Sequence, residues 1–408
     1  MTMAHLPDAH WLHRPGFDAL CEILGAGNGA VRIVGGAVRD GLLGLDVHDI
    51  DLATRLTPED VIARLSDAGI KVVPTGLAHG TVTAVLDHRP VEITTLRCDV
   101  STDGRRATVA YTSDWKEDAA RRDFTINALY ADPATGEIFD YFGGLDDLTH
   151  RRVRFIGNAD QRIAEDHLRI LRYFRFLARF GALPPDERAF AACTRNANSL
   201  MALSRERIAD EVLKLLALPD PSAVIDLMLM GGIFAPVLPE ISKVGLEQLK
   251  ALIAREQQFQ LSRPPSAVLR LAALLPQDPQ IGELVAARLK LSNKTRKRIA
   301  AAMTPPPLHG NNRELVYRLG METALDILLL GHATPDSDLP ALEKWSPPEF
   351  PINGRDIMSL GISAGPDVAR LLATVRDQWI AEGFCDADRV RAIAADQVSG
   401  FRRDSQNS

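Results

Sequence analysis

No stretch of this sequence supplies the roughly 20 consecutive apolar residues that a membrane-crossing helix needs. A helical membrane protein is excluded. Cysteine is scarce, four residues in 408, and Cys21, Cys98, Cys193 and Cys385 stand far apart with no CxxC pair and no Cys/His cluster to close a tetrahedral zinc site. A disulfide scaffold is therefore not expected, and a reducing, cytoplasmic compartment fits best. The ten histidines are equally dispersed. An excess of basic charge is missing too: 47 Lys+Arg against 53 Asp+Glu leave a net charge of -6, which by itself argues against a nucleic-acid partner. The N-terminal segment lacks the basic-then-apolar pattern of a secretory signal, and there is no low-complexity tract or exact repeat. What is present, 46% apolar and 25% charged residues over this length, predicts a soluble globular chain of two to four domains.

Two kinds of pattern divide the chain. Between residues 31 and 150, short β-prone runs recur at 31–34, 50–53, 72–74, 81–86 and 91–96, with a hairpin turn expected at His88-Arg89-Pro90. Thr57-Pro58-Glu59-Asp60 opens an interleaved helix, with a capping Thr, Pro in the first turn and acids beside the helix N-terminus, and Gly69 closes it. From about residue 160 the strand signals fade. Ile163, Leu168, Ile170, Leu171, Phe174 and Leu177 follow a helical period as far as Gly181, a second helix runs through Ile208 to Leu216, and Pro-rich breaks follow at 264–265, 305–307 and 347–351. The expectation is an α/β head with a mixed sheet joined to a long all-helical body.

The most informative segment is Val34-Gly35-Gly36-Ala37-Val38-Arg39-Asp40-Gly41-Leu42-Leu43-Gly44, followed by Asp49-Ile50-Asp51. Two glycines between an apolar strand and a helix give a turn whose bare N–H groups and helix N-terminus can face phosphate. Asp49 and Asp51 alternate in a predicted strand, so both carboxylates project from one face of the sheet. Two crowded carboxylates repel, and Mg²⁺, which prefers carboxylate and phosphate oxygens, relieves that repulsion; a pair of such ions clamps the attacking and leaving oxygens of a phosphoryl transfer. Glu92 is the candidate third ligand, as a charge in an otherwise Val/Ile/Thr/Leu strand, where burial is costly without a partner. Read singly, the DxD and the glycine pair are weak signals. Their order around one strand–helix–strand unit is what makes them specific.

At these residues the sequence resembles the class II tRNA nucleotidyltransferase and bacterial poly(A) polymerase family, within the polymerase β-like nucleotidyltransferase superfamily. The family pattern GGxVRDxLLGxxxxDxD is met at every specified position from Gly35 to Asp51, and His79-Gly80-Thr81, Val91–Arg97, Arg121-Arg122-Asp123-Phe124-Thr125-Ile126-Asn127-Ala128, Glu165-Asp166-x-x-Arg169 and Ser204-Arg205-Glu206-Arg207-Ile208 follow in family order. A weaker echo lies in Ile352-Asn353-Gly354-Arg355-Asp356-Ile357-Met358. The resemblance implies an α+β protein: a nucleotidyltransferase head over 1–150, a helical neck over 151–220 that recognises the base, and a helical body and tail over 221–408 that bind RNA. It implies two Mg²⁺ on Asp49, Asp51 and Glu92, the tRNA 3′ end with CTP and ATP as partners, and no DNA or membrane partner. It also implies that Arg121, Arg122, Asp123 and Asn127 handle ribose and triphosphate, with Gly35, Gly36, Arg39 and Arg172 completing the nucleotide site. Asp40 has a plainer reading, stabilising the turn.

Base choice has a chemical rationale as well. Asp166 and Arg169, three apart in a predicted helix, share a face, one offering an acceptor and the other donors. Cytosine and adenine each carry an amino donor beside a ring-nitrogen acceptor, so this pair suits both, whereas uracil and guanine oppose like with like. Unpaired buried polar groups cost about 1–3 kcal/mol each, enough to reject the wrong bases. An isolated D-x-x-R would more often be an ordinary helix salt bridge. His167 replaces the Pro of many relatives, with little consequence expected at a helix start. The polar segment 98–110 reads as a surface loop, and in relatives a flexible loop here is needed for adding the final A.

RNA contacts are sought where cations gather. Between Arg151 and Arg179 there are eight arginines against three acids, and a second run, Arg288-Leu289-Lys290-Leu291-Ser292-Asn293-Lys294-Thr295-Arg296-Lys297-Arg298, lies in the body. Lys290, Lys294 and Arg298 are the expected RNA contacts, through shape and phosphate rather than base edges. About half of the first run is expected to be solvated surface.

Overall fold

Val31-Arg32-Ile33-Val34 is buried along its whole length, as a strand paired on both sides should be. In the computed structural model, which describes residues 4–103, 106–306, 312–332 and 339–406, it is β1, near the middle of a seven-stranded sheet. The other strands are β2 (Asp51–Thr54), β3 (Val72–Gly76), β4 (Thr81–Leu86), β5 (Arg89–Thr95), β6 (Arg97–Asp103), β7 (Arg106–Tyr111), β8 (Leu129–Ala131) and β9 (Ile138–Asp140). The sheet order is β3-β4-β5-β2-β1-β8-β9. Only β2 and β5 run parallel, so the sheet is mixed, as expected. The parallel pair is possible because the chain crosses over through helix Pro58–Asp67, β3 and β4 before returning as β5. Thr57 caps that helix by accepting from the Asp60 amide, and Gly69 follows it at φ +73°.

Two local expectations need correction. The β4–β5 turn is Asp87-His88, with both residues at positive φ, while Arg89 and Pro90 already belong to β5. This is a two-residue turn of the type that matches strand twist, formed here without glycine. The 98–110 segment is not an irregular loop: β6 and β7 pair antiparallel as a separate two-stranded sheet, and Gly104 and Arg105 of this segment lie outside the described residues.

The chain divides into two compact units, Met1–Pro239 and Glu240–Ser408. The segments expected as head and neck both fall in the first, together with residues 221–239 of the expected body. The first unit packs Val34, Ala53, Leu96, Trp115, Tyr130 and Ile156 between sheet and helices. An aromatic cluster of Phe124, Phe155, Tyr173 and Phe176 joins the sheet segment to helix Arg169–Phe180. Among the described residues of the second unit the regular elements are all helices, and its C-terminal core gathers around Trp379, Ile357, Val375, Val390 and Ile393. There the Asn353 side chain accepts from the Arg355 amide and Asp356 accepts from the Asn353 amide. The motif at 352–358 is thus a capping box that starts helix Gly354–Ser359. All four cysteines are free thiols, and no described helix is long and apolar enough to cross a membrane.

Candidate active site

The parallel register sets the floor of a cleft. Asp51 lies directly opposite Glu92, and the Glu92 amide donates to the Ile50 carbonyl at 3.3 Å. In-register residues on neighbouring strands about 4.8 Å apart project from the same face. Burial alternates along β5: Val91, Ile93 and Thr95 point into the core, while Glu92 is exposed on the cleft side. Glu92 is therefore not the buried strand charge that the sequence suggested; it is exposed, and its position comes from register with Asp51. Asp49 also departs from expectation, since β2 begins only at Asp51 and Asp49 lies exposed before the strand. It remains close enough to matter electrostatically. The Asp51 carboxyl is pushed up to about 6, first by burial and then by Glu92, with Arg122 opposing and Asp49 adding to the rise. These three oxygen donors suit a hard divalent cation, whose charge would relieve their crowding. Among the described residues no three acidic, His or Cys side chains are already gathered around one point.

Cations line the same cleft. The cleft, about 550 Å³, is lined by Gly35, Gly36, Asp51 and Glu92 and by Arg39, Arg97, Arg121, Arg122, Arg169, Arg172 and Arg207. Three of these arginines trace to one buried carboxylate, Asp118, on helix Trp115–Ala120. Asp118 accepts from the Arg97 amide at 3.2 Å and from Arg122 Nη2 at 3.2 Å, and Arg121 Nε lies 3.4 Å away. Tyr130 donates its hydroxyl to the same Asp118 oxygen at 2.7 Å and accepts from Arg122 Nε. Burial works against the charged form of Asp118, but Arg122, Tyr130 and Arg121 outweigh it and hold the carboxyl below its ordinary range.

Gly35 allows the close approach of this wall. It sits at φ +70°, and a Cβ there would lie 3.4 Å from Arg122 Nη1. Arg39 lines the cleft yet is buried, donating to Asp40 and to the side-chain amide oxygen of Asn127, with its guanidinium 4.1 Å from the Phe180 ring centroid. Asn127 in turn donates to Asp123 at 3.0 Å, and Arg172 donates to Asp123 through Nε at 2.8 Å and Nη2 at 2.5 Å. Burial opposes ionisation of Asp123, but Arg172 and Asn127 keep its carboxyl below the usual range. Arg39, Asn127, Asp123 and Arg172 are one connected network that fixes the cleft wall. Asp40 is half-buried within helix Gly36–Leu42 between Arg39 and Arg179, so it holds arginines rather than a helix start.

The Glu165–Arg169 segment differs most from the sequence reading. The expected single helix is two, Ala159–Glu165 and Arg169–Phe180, with Asp166 extended between them at φ −150°, ψ 105°. Asp166 and Arg169 thus do not share a helix face, although both line the cleft. Arg169 donates to Glu165 at 2.5 Å and to the Arg162 and Arg121 carbonyls, while Asp166 accepts from the Leu168 amide at 3.1 Å and pairs with Arg207 at 2.8 Å. Arg207 belongs to helix Arg205–Leu216 and is a cleft residue that the sequence pattern does not reveal. Its only signal was a charge 41 residues from its partner, which periodicity does not connect. His79 ends the short turn Leu77–His79, exposed and away from the cleft lining, with its carbonyl accepting from Arg97.

Of the arginines at 151–179, Arg169 and Arg172 reach the cleft. Arg152 and Arg154 hold the fully buried Asp147, Arg175 pairs with Glu211 at 2.6 Å, and Arg162 bonds Glu165 and the Arg122 carbonyl. In the second unit, Lys290 and Lys294 are exposed, as RNA contacts should be. Arg298 is not available in that way, because it pairs with buried Asp326 at 2.7 Å and with Glu322 at 2.7 Å.

Similarity to known proteins agrees with this geometry. Residues 31–154 match the Poly A polymerase head domain, and residues 183–244 match the family described as a probable RNA and SrmB-binding site of polymerase A. The chain is 37% identical to the mitochondrial CCA tRNA nucleotidyltransferase 1 of Mus musculus, over 93% of this chain and 89% of that protein. It is 32% identical to the CCA-adding enzyme of Lactococcus lactis subsp. lactis (strain IL1403), over 85% and 88% of the two chains. Its fold matches the Bacillus stearothermophilus CCA-adding enzyme, solved in complex with CTP, at TM-score 0.73 and 28% identity, covering 97% of this chain and 100% of that one. The chain is a nucleotidyltransferase and belongs to the CCA-adding tRNA nucleotidyltransferase family.

Proposed function

We propose that the protein adds C, C and A to the 3′ end of tRNA from CTP and ATP, without a nucleic-acid template. The tRNA 3′-hydroxyl attacks the α-phosphorus and pyrophosphate leaves. The observation that carries this reading is the in-register pair Asp51 and Glu92 in a cleft also lined by arginines, which gathers carboxylates and cations around one cavity. Nucleotidyltransferases of this kind use divalent metal, and in our reading two Mg²⁺ held by Asp49, Asp51 and Glu92 would neutralise the reacting oxygens. Arg121 and Arg122 bind the triphosphate, and Gly35 keeps their approach open. Asp123 and Asn127, fixed by Arg172 and Arg39, orient the ribose side of the site. Asp166 accepts from the amino group of cytosine or adenine, and Arg169 donates to the neighbouring ring nitrogen. Lys290 and Lys294 contribute to RNA binding.

The test supplies purified protein with divalent metal and a tRNA ending at the discriminator base, giving CTP and ATP separately and together. Three added nucleotides followed by a stop supports the proposal. A long A ladder on unrelated RNA, the outcome for a poly(A) polymerase, would overturn it, as would addition of two C residues alone with both nucleotides present.

A further inference from the structure

The two side chains assigned to the base are held by different partners. Arg169 is anchored by three bonds, to Glu165 and to the carbonyls of Arg162 and Arg121, and its side chain is 16% exposed. Asp166 has no helix of its own; its orientation rests on the Leu168 amide at one oxygen and Arg207 at the other. An aspartate between two helices turns freely about its side-chain bonds unless such contacts hold it. Arg207 projects from a helix that is itself secured to the cleft wall, since Glu211 on the same helix pairs with Arg175 at 2.6 Å and lies 3.8 Å from Arg172. Arg207 also lines the cleft beside Asp166 and Arg169.

We infer that Arg207 is a positioning residue for base selection, fixing the Asp166 carboxylate so that its remaining lone pairs meet the amino group of the incoming base. The inference rests on the assignment of Asp166 to base reading. A carboxylate has about four lone-pair sites, so the oxygen that accepts from Arg207 can accept from a base amino group as well. With Arg207 in place, Asp166 presents an acceptor in one direction only, and a carbonyl base meets it as a repulsive neighbour. Without Arg207 the carboxylate rotates away, the penalty on a carbonyl base falls, and the attraction for an amino base falls with it. Both changes act on selection rather than on phosphoryl transfer, which takes place over Asp51 and Glu92.

Steady-state nucleotide addition to tRNA ending in CC or at the discriminator base separates these effects. Arg207→Ala is expected to raise KM for CTP and ATP by about ten-fold with kcat changed far less, and to lower the CTP/UTP and ATP/GTP preference by a similar factor. Inhibition by inorganic pyrophosphate, which carries no base, should stay unchanged. Arg207→Lys, which keeps a charge but not the planar fork, should recover part of the selectivity. In an Asp166→Ala background, Arg207→Ala should add nothing further. Unaltered selectivity in a folded Arg207→Ala protein, with Asp166→Ala still losing it, would overturn the inference and leave the base assignment standing. Unaltered selectivity in Asp166→Ala itself would remove the assignment beneath it. A uniform loss across all nucleotides and pyrophosphate, with reduced thermal stability, would make Arg207 merely structural and also overturn the inference.

Discussion

The two arginine-rich stretches, 151–179 and 288–298, look alike as sequence and are used differently. In the first, arginines gather on carboxylates of the fold. Arg152 and Arg154 meet on Asp147, which also accepts from the Thr125 hydroxyl at 2.6 Å, and Arg175 closes on Glu211. In the second, arginine and lysine divide the labour. Arg288, Arg296 and Arg298 pair with Glu240, Glu283 and Asp326, while Lys290, Lys294 and Lys297 remain exposed. Guanidinium groups suit buried, multidentate partners and ammonium groups stay hydrated, so the split follows side-chain chemistry. A basic run in sequence therefore does not by itself mark a surface of free charge, because its arginines are paired within the fold.

That contrast is open to attack. Each stretch sets arginine on a fully buried aspartate, Arg152 and Arg154 on Asp147 in the first unit and Arg298 on Asp326 in the second. Replacing either by Ala strips several donors of their acceptor and should cost about 2–4 kcal/mol, read as a lowered urea midpoint. A loss below about 0.5 kcal/mol in either would mean that these arginines do not organise their unit. Arg298→Ala should cost about 1–3 kcal/mol, since it leaves Asp326 with Arg263 alone, and should affect tRNA affinity only through stability. A salt-dependent fall in tRNA binding without destabilisation would restore Arg298 as an RNA contact.

Asp51→Asn tests the opposite charge. Because the folded carboxyl lies near 6, above its ordinary 3.8, its contribution favours folding below the lower value and is lost as pH rises through the higher one. The substitution should abolish nucleotide addition while raising stability near pH 8 by about 1 kcal/mol, with little change near pH 4. Stability that is unchanged at both pH values would show that the carboxylates are not crowded. The smallest effect is expected at Lys294→Ala: stability within about 0.5 kcal/mol, with weaker tRNA binding whose salt dependence is shallower by about one phosphate contact. An unchanged salt slope would withdraw Lys294 from the RNA surface.

Much of the site was legible because it follows local rules. The Gly35-Gly36 turn, the helix opened by Thr57 and the strand positions of Asp51 and Glu92 depend on residues close in sequence or on strand alternation. The two-helix break at Asp166 was not legible, since Ile163 and Leu168 continue an apolar period across a junction that tertiary contacts interrupt. Arg207 was missed for a related reason: its meaning depends on a helix that returns to the cleft. The pairing of β6 with β7 was hidden by polar composition, which suits a two-stranded ribbon as well as a loop.

Asp118 has a consequence for how substrate is received. Like-charged guanidinium groups repel, and gathering several around an empty cleft would ordinarily be left until an anion arrives. Here a single carboxylate, backed by a tyrosine hydroxyl, holds Arg121 and Arg122 and anchors the backbone of Arg97 before any phosphate is present. The free energy of assembling that wall is spent during folding, so an anion bound there need not supply it and would meet donors already aimed. Anion affinity of the cleft and the folding stability of the first unit would in this way be linked through one buried side chain, Asp118.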